Sequence, residues 1–376
     1  MEKLLMTCQQ SVCFQTLATA SGKLIGVATL NAEKALNALS LDMVRLLTEQ
    51  LTKWKSDTNI AFVVLDGCGE KAFCAGGDVR ALYDASIANK GQVAEAAKTF
   101  FTEEYQLDHL IHTFEKPVMV WGNGFVMGGG VGLLAGASHR VVTETSRIAM
   151  PEVTIGLFPD VGGSYFLNRT PGKSGMFLGF TAYQMNAADA CYVGMANHYL
   201  NNDDKEPMFD VLATVDWGDD IGMNHQYLDE ALHEVALKSA VPKGESVIAD
   251  NQGLIDTLMS GSLNDIVTRM TDLETDEKWL SRAKSSMLSG SPISCQLIFE
   301  QAQLGTDLSL ADVFRWELAV SVNCLAIGDF NEGVRALLID KDRNPKWHQN
   351  SVSEVPSDLI QKIITSPWKE HPLAAL

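Results

Sequence analysis

The chain has 376 residues, 46% hydrophobic and 20% charged, with a net charge of −18, enough for one large domain or two ordinary ones with ample core. That charge offers no basic stripe that could release counterions from a nucleic acid. No apolar run nears the roughly 20 residues that span a bilayer, so neither nucleic acid nor membrane is an expected partner.

The start, "MEKLLMTCQQSVCFQTL", has Cys and Gln where a secretory signal would have its apolar stretch. The expected compartment on this reading is the cytoplasm. "SVCFQTLATASGKLIGVATLN" holds two β-rich runs around Ser21-Gly22, a hairpin signal. "SLDMVRLLTEQLTKWKSD" has helical apolar spacing with Ser40 as N-cap. "IAFVVLDG" and "KPVMVWGNG" are nearly continuous apolar runs that suit buried strands, with a helical stretch predicted between them over 79–115. "GGGVGLLAGAS" starts a helix of small residues, and "HRVVTET" and "RIAMPEV" supply further strands. The rhythm stops at the polar "NNDDKEPMFD", beyond which the periodic segments are all helical. The prediction is an α/β part over 1–205 and a helical part over 206–376. Seven cysteines, at 8, 13, 68, 74, 191, 295 and 324, form no C-x-x-C and have no histidine at zinc spacing. They read as reduced thiols, and no metal is expected.

Two glycine-rich turns can carry chemistry. "AFCAGGD" (72–78) follows a strand and precedes a helix, so the N–H groups around Gly76 and Gly77 lie open where the helix dipole favours negative charge. Asp78 is placed to cap that helix. "NGFVMGGGVG" (123–132) opens a second helix in the same way. One N–H from each turn makes an oxyanion hole, each donor contributing on the order of 3 kcal/mol to the transition state. Tight packing or a turn is the favoured explanation of such glycines taken alone, and Gly130, Gly132 and Ala135 also fit G-x-G-x-x-A, although the strand ends too early for a dinucleotide turn. "MPEVTIGLFPDVGGSYF" places Glu152 and Asp160 in an otherwise apolar run, with Gly156 and Pro159 between them to turn the chain. Two carboxylates in such a setting have their pKa values pushed upward and apart, which suits one as base or nucleophile and one as acid. Capping or ion pairing is the competing explanation.

Taken together, "KAFCAGGDVR", "NGFVMGGGVGL" and "MPEVTIGLFPDVGGSYFLNR" resemble the crotonase (enoyl-CoA hydratase/isomerase) superfamily, in its 3-hydroxyisobutyryl-CoA hydrolase branch. "TLNAEKALNALSLDMV" and "DFNEGVRALLIDKDRNPKW" match that branch too, so the resemblance covers most of the chain. It implies an α/β fold, a crotonase-like spiral of ββα units followed by a helical C-terminal region. It implies hydrolysis of a short 3-hydroxyacyl-CoA in valine degradation, with no cofactor beyond the coenzyme A of the substrate. It implies an acyl-CoA bound at the turn of Ala75, Gly76, Gly77 and Asp78, an oxyanion hole at the N–H groups of Gly77 and Gly129, and Glu152 and Asp160 as the acidic pair. Glu104 matches a position that contacts the acyl portion, and Lys34 matches the loop beside coenzyme A. A homo-oligomer is common among such relatives. Hydratases carry a second glutamate after the glycine turn, where this chain has Gly132; that argues for hydrolysis over hydration, and a non-catalytic acyl-CoA binder is the remaining alternative.

Overall fold

The computed structural model describes residues 10–239 and 243–376. Cys8 and the stretch read for targeting lie outside them, apart from its last residues. The hairpin of β1 (Val12–Ala18) and β2 (Leu24–Leu30) is antiparallel, as its turn predicts. The strands that follow come in pairs. β3 (Ile60–Gly67) leads to β4 (Ala72–Cys74), β5 (Val118–Gly122) to β6 (Phe125–Met127), and β7 (His139–Val142) to β8 (Arg147–Ala149). The first member of each pair joins a six-stranded sheet of order β1-β2-β3-β5-β7-β9, where β9 is His198–Tyr199. The second joins a separate parallel sheet of order β4-β6-β8. Helix α1 (Leu41–Ser56) precedes β3, with Ser40 Oγ accepting the Met43 N–H at 3.2 Å. After β4 comes α2 (Val79–Ala88), then α3 (Glu95–His112), and β6 feeds α4 (Gly129–Gly136). The chain therefore advances as a spiral of ββα units.

Two expectations change. The single helix predicted over 79–115 is α2 and α3, parted at the polar Asn89-Lys90-Gly91 turn. The polar "NNDDKEPMFD" is a helix start: Asn201 and Asp204 form a capping box, and Lys205 opens the helix Lys205–Thr214 with its Nζ 2.7 Å from the buried Asp66 carboxylate. Polar composition there serves capping and an ion pair. No strand follows Tyr199 among the described residues.

Alternation along β3 explains its continuous hydrophobicity. Val63 and Leu65 face a core shared with α1 and α3, while Phe62 and Val64 face Leu212, Leu228 and Leu232 of the two longer helices after β9 and Trp217 of the loop between them. The first core also takes in Leu318 of the Leu310–Ile327 helix, which packs along α3. Five cysteines, at 68, 74, 191, 295 and 324, are free thiols. Cys13 is disulfide-bonded, which departs from the reading of all seven as reduced.

Candidate active site

The turns that leave the C-terminal ends of β4, β6 and β8 border one cavity of about 310 Å³, the end of a parallel sheet where ligands bind. Ala75, Gly76 and Gly77 come from the first turn, Met127, Gly128 and Gly129 from the second, and Glu152 and Asp160 from the third. Phe100, Phe101 and Glu104 of α3 form another wall, and Leu337 and Leu338 of the C-terminal region complete it.

Gly76 at φ +110° and Gly128 at φ +48° hold backbone that a side chain would strain. A Cβ at Gly129 would lie 2.5 Å from Glu104 Oε1 and 3.4 Å from the Gly77 nitrogen, so the two turns and Glu104 converge. Gly129 is the first residue of α4, where a helix leaves its N–H groups unpaired. Among the described residues neither the Gly77 nor the Gly129 N–H has a backbone acceptor. Two N–H groups without a backbone acceptor thus come from neighbouring residues of the cavity wall.

Around them five carboxyl groups are buried: Glu104, Asp108, Glu152, Asp160 and Glu317. Two of them, Glu317 and Asp160, are hydrogen-bonded, and of these Asp160 lines the cavity. Its Oδ2 accepts the Tyr105 hydroxyl at 2.6 Å, and Ser321 Oγ donates in turn to the Tyr105 oxygen at 2.7 Å. The next residue, Val161, sits at φ +53°, an outlier for a β-branched side chain. Its turn is held from a distance: Glu317 accepts the N–H of Gly162 at 2.7 Å and of Ser164 at 2.8 Å, at the start of α5 (Gly163–Phe166). By contrast, Glu104 Oε1, Glu152 Oε2 and both Asp108 oxygens have no hydrogen-bond partner.

This difference in support sets the protonation. Burial raises Asp160 to about 6, with the Tyr105 hydrogen bond opposing the rise. Burial drives Glu152 well above the usual carboxyl range, and the Asp160 charge adds to it. Glu104 is raised in the same way, by burial and then Asp160. Asp108 is raised by burial and then by Glu104, Asp160 and Glu317. Glu317 reaches about 8 through burial, opposed by its two backbone hydrogen bonds. Of the carboxyl groups lining the cavity, Asp160 is the one whose rise is opposed by a side-chain hydrogen bond, which favours its ionised form.

Ala75, Gly76, Gly77, Gly129, Glu104, Glu152 and Asp160, all expected from sequence, line the cavity. Asp78 caps α2 as expected, accepting the Ala81 N–H at 3.1 Å, and is not among the lining residues. Lys34 is exposed on the short turn Glu33–Ala35 and does not reach the cavity wall. Gly130 and Gly132 answer to packing: Cβ atoms there would lie 2.4 Å from the Cys74 carbonyl oxygen and 2.8 Å from Val161 Cβ. A Gly132 Cβ would also stand 3.0 Å from both Asp108 oxygens. The space that a side chain at Gly132 would enter is thus filled by a carboxyl group from α3. Tyr105, Asp108, Glu317 and Ser321 were missed. Asp108 lies one helical turn beyond Glu104, a spacing visible in the sequence; Glu317 and Ser321 have no local signal.

The profile described as enoyl-CoA hydratase/isomerase matches residues 25–364. A zebrafish (Danio rerio) protein named "3-hydroxyisobutyryl-CoA hydrolase, mitochondrial" is 40% identical over 342 residues, covering 91% of this chain and 87% of its own length. The proteins of the same name from Xenopus tropicalis and Homo sapiens are 37% and 35% identical, covering 96% and 89% of this chain and 90% and 84% of their own lengths. Among solved structures, an enoyl-CoA hydratase from Rhodobacter sphaeroides superposes with a TM-score of 0.82 at 31% identity, covering 95% of this chain and 98% of its own. A carnitinyl-CoA dehydratase from Mycobacterium thermoresistibile gives 0.82 at 32%, covering 96% and 98%. The word "mitochondrial" in the relatives' names overturns the cytoplasmic expectation. That expectation rested on a missing apolar stretch, which bears on export and on no other compartment. With the profile spanning most of the chain and relatives of this identity matching nearly end to end, the chain belongs to the enoyl-CoA hydratase/isomerase family.

Proposed function

We propose that this protein hydrolyses a short 3-hydroxyacyl-CoA thioester, 3-hydroxyisobutyryl-CoA above others, to the free hydroxy acid and coenzyme A. The observation that carries this reading is the pair of open N–H donors at Gly77 and Gly129 beside Glu152 and Asp160 in one apolar cavity. The thioester oxygen takes both N–H groups, which stabilise the charge that forms as the carbonyl carbon becomes tetrahedral. Above about pH 6 the acidic pair carries one negative charge, resting on Asp160. Asp160 accepts the Glu152 proton, and the Glu152 carboxylate then either attacks the carbonyl carbon to give a mixed anhydride that water hydrolyses, or deprotonates the water that attacks. Coenzyme A leaves as a thiolate, a good leaving group that needs little acid assistance. Glu104, beside Gly129, borders the acyl portion and orients its hydroxyl.

Hydration of an enoyl-CoA is the second reading, favoured by the names of the superposed structures. Gly132 speaks against it, because a side chain there would meet Val161 and Asp108. Thiol release from 3-hydroxyisobutyryl-CoA, with the enoyl absorbance of crotonyl-CoA followed in parallel, separates the two. Thiol release with a constant enoyl band is expected. Loss of the enoyl band without thiol would overturn the reading. Glu152→Gln should lower thiol release by about a thousandfold or more, in line with loss of a group that acts at the reacting carbon; full activity would remove Glu152 from the mechanism.

A further inference from the structure

A second cluster lies on the other face of the six-stranded sheet. His139 of β7 has the same parity as Val141, and His198 of β9 the same as Leu200; both of those apolar residues pack toward the Ile221–Lys238 helix, which carries Asp229. Asp229 Oδ1 stands 3.3 Å from His139 Nε2 and 3.0 Å from His198 Nε2. These three atoms all lie within 4.8 Å of one another. A tetrahedral ion holding its donors at about 2.0–2.1 Å sets neighbouring donors roughly 3.3 Å apart.

The hydrogen bonds around His139 prepare it as a ligand. Ser138 Oγ accepts the Val118 N–H at 3.0 Å and donates to the Val118 carbonyl at 3.1 Å. Its 2.9 Å contact with His139 Nδ1 is therefore one in which the imidazole donates. The ring proton sits on Nδ1, and Nε2 presents its lone pair. Two oxygens face that nitrogen, Asp229 Oδ1 and the His225 carbonyl, the latter also at 3.3 Å. With the ring proton on Nδ1 these oxygens and Nε2 frame a place for a cation, whereas a proton on Nε2 is donated to the His225 carbonyl. His198 Nε2 is a buried atom that faces Asp229 Oδ1 at 3.0 Å.

We propose that His139 Nε2, His198 Nε2 and Asp229 Oδ1 bind a divalent transition-metal ion of the zinc class, with water in the fourth position. Two imidazoles and one carboxylate suit zinc over calcium or magnesium, which prefer oxygen donors. The ion ties the Ile221–Lys238 helix to the β7–β9 edge of the sheet, and the half-exposed Asp229 gives it a path from solvent. None of the three residues lines the active-site cavity, so the role is structural. Sequence spacing hid this site, since its donors come from three separate elements.

The test titrates zinc into the full chain against a chromophoric chelator at about pH 7.5, where ordinary imidazoles are mostly neutral. Wild type, His198→Ala and Asp229→Asn are compared. The wild type should bind one equivalent in the submicromolar range, and each variant should bind at least about tenfold more weakly. Zinc should raise the melting temperature of the wild type and leave that of the variants unmoved, with thiol release equal in all three. Tight binding that survives both substitutions would assign the metal to the free thiols and overturn the site. So would a wild type that binds no more tightly than the variants.

Discussion

Asp160 differs from its neighbours by one hydroxyl group. Tyr105 donates to it and so limits the rise that burial causes, leaving it at about 6. The ionised form is the working one, so kcat/KM should rise with pH through about 6 and level off above. Tyr105→Phe removes the opposing hydrogen bond and should move that limb to higher pH; a lower rate with an unmoved limb would leave Tyr105 as packing only. Asp108 makes a separate prediction, about stability. Its folded pKa lies well above the usual value, through burial first, while the unfolded chain ionises it near pH 4. The unfolded state therefore binds fewer protons over the window above pH 4, and the Asp108 contribution to stability falls as pH rises through it. Asp108→Asn removes that dependence. The variant should melt at the wild-type temperature near pH 4 and about 2 °C or more above it near pH 8. A melting difference that stays constant between those pH values would mean that Asp108 is ionised in the fold.

Among the elements, the turn after Asp160 depends on a helix far along the chain. Glu317 of the Leu310–Ile327 helix accepts the N–H groups of Gly162 and Ser164 from a fully buried position. Glu317→Ala leaves both donors buried without a partner, a loss of about 2–4 kcal/mol, read as a lower urea midpoint. Glu317→Gln keeps an acceptor and should fall between the alanine variant and the wild type; a midpoint for Glu317→Gln below that of Glu317→Ala would deny the hydrogen-bond role. This dependence also marks what could be read from sequence. The hairpin, α1 with its Ser40 cap, the buried strands and both glycine turns announce themselves in local spacing, because alternation, caps and turns are local physics. The break between α2 and α3 was passed over, since both flanks keep helical periodicity across a short polar turn. The polar run at 201–210, read as the boundary between the α/β and helical parts, also opens the Lys205–Thr214 helix, since a capping box and a linker share a polar composition. Tyr105 and Asp108 share α3 with Glu104 and were within reach. Glu317 and Ser321 were not, because they meet the third turn through tertiary packing alone.

For the whole molecule, the net charge of −18 sets a constraint that the local site does not remove. Coenzyme A is a polyanion, and no lysine or arginine is among the residues lining the cavity. Lys34 stands exposed outside that wall, where solvent screens its charge. The thioester therefore approaches a surface whose summed field opposes it, and within the cavity its contacts are with apolar walls, backbone N–H groups and carboxyl groups. Screening weakens long-range repulsion once the Debye length falls to about 10 Å, near 0.1 M salt. Accordingly kcat/KM for the acyl-CoA should climb as NaCl is raised from about 10 to about 150 mM, over which that length shrinks roughly fourfold. The gain should lie in KM, with kcat unchanged, because the reacting carbon is shielded in the cavity while the approach is not. The hydrolysis of a short uncharged thioester lacking the nucleotide should show no such rise. A fall in kcat/KM for the acyl-CoA with salt would instead reveal a local cationic contact strong enough to outweigh the field. Lys34 would then be the first residue to replace, and Lys34→Ala should flatten the salt dependence.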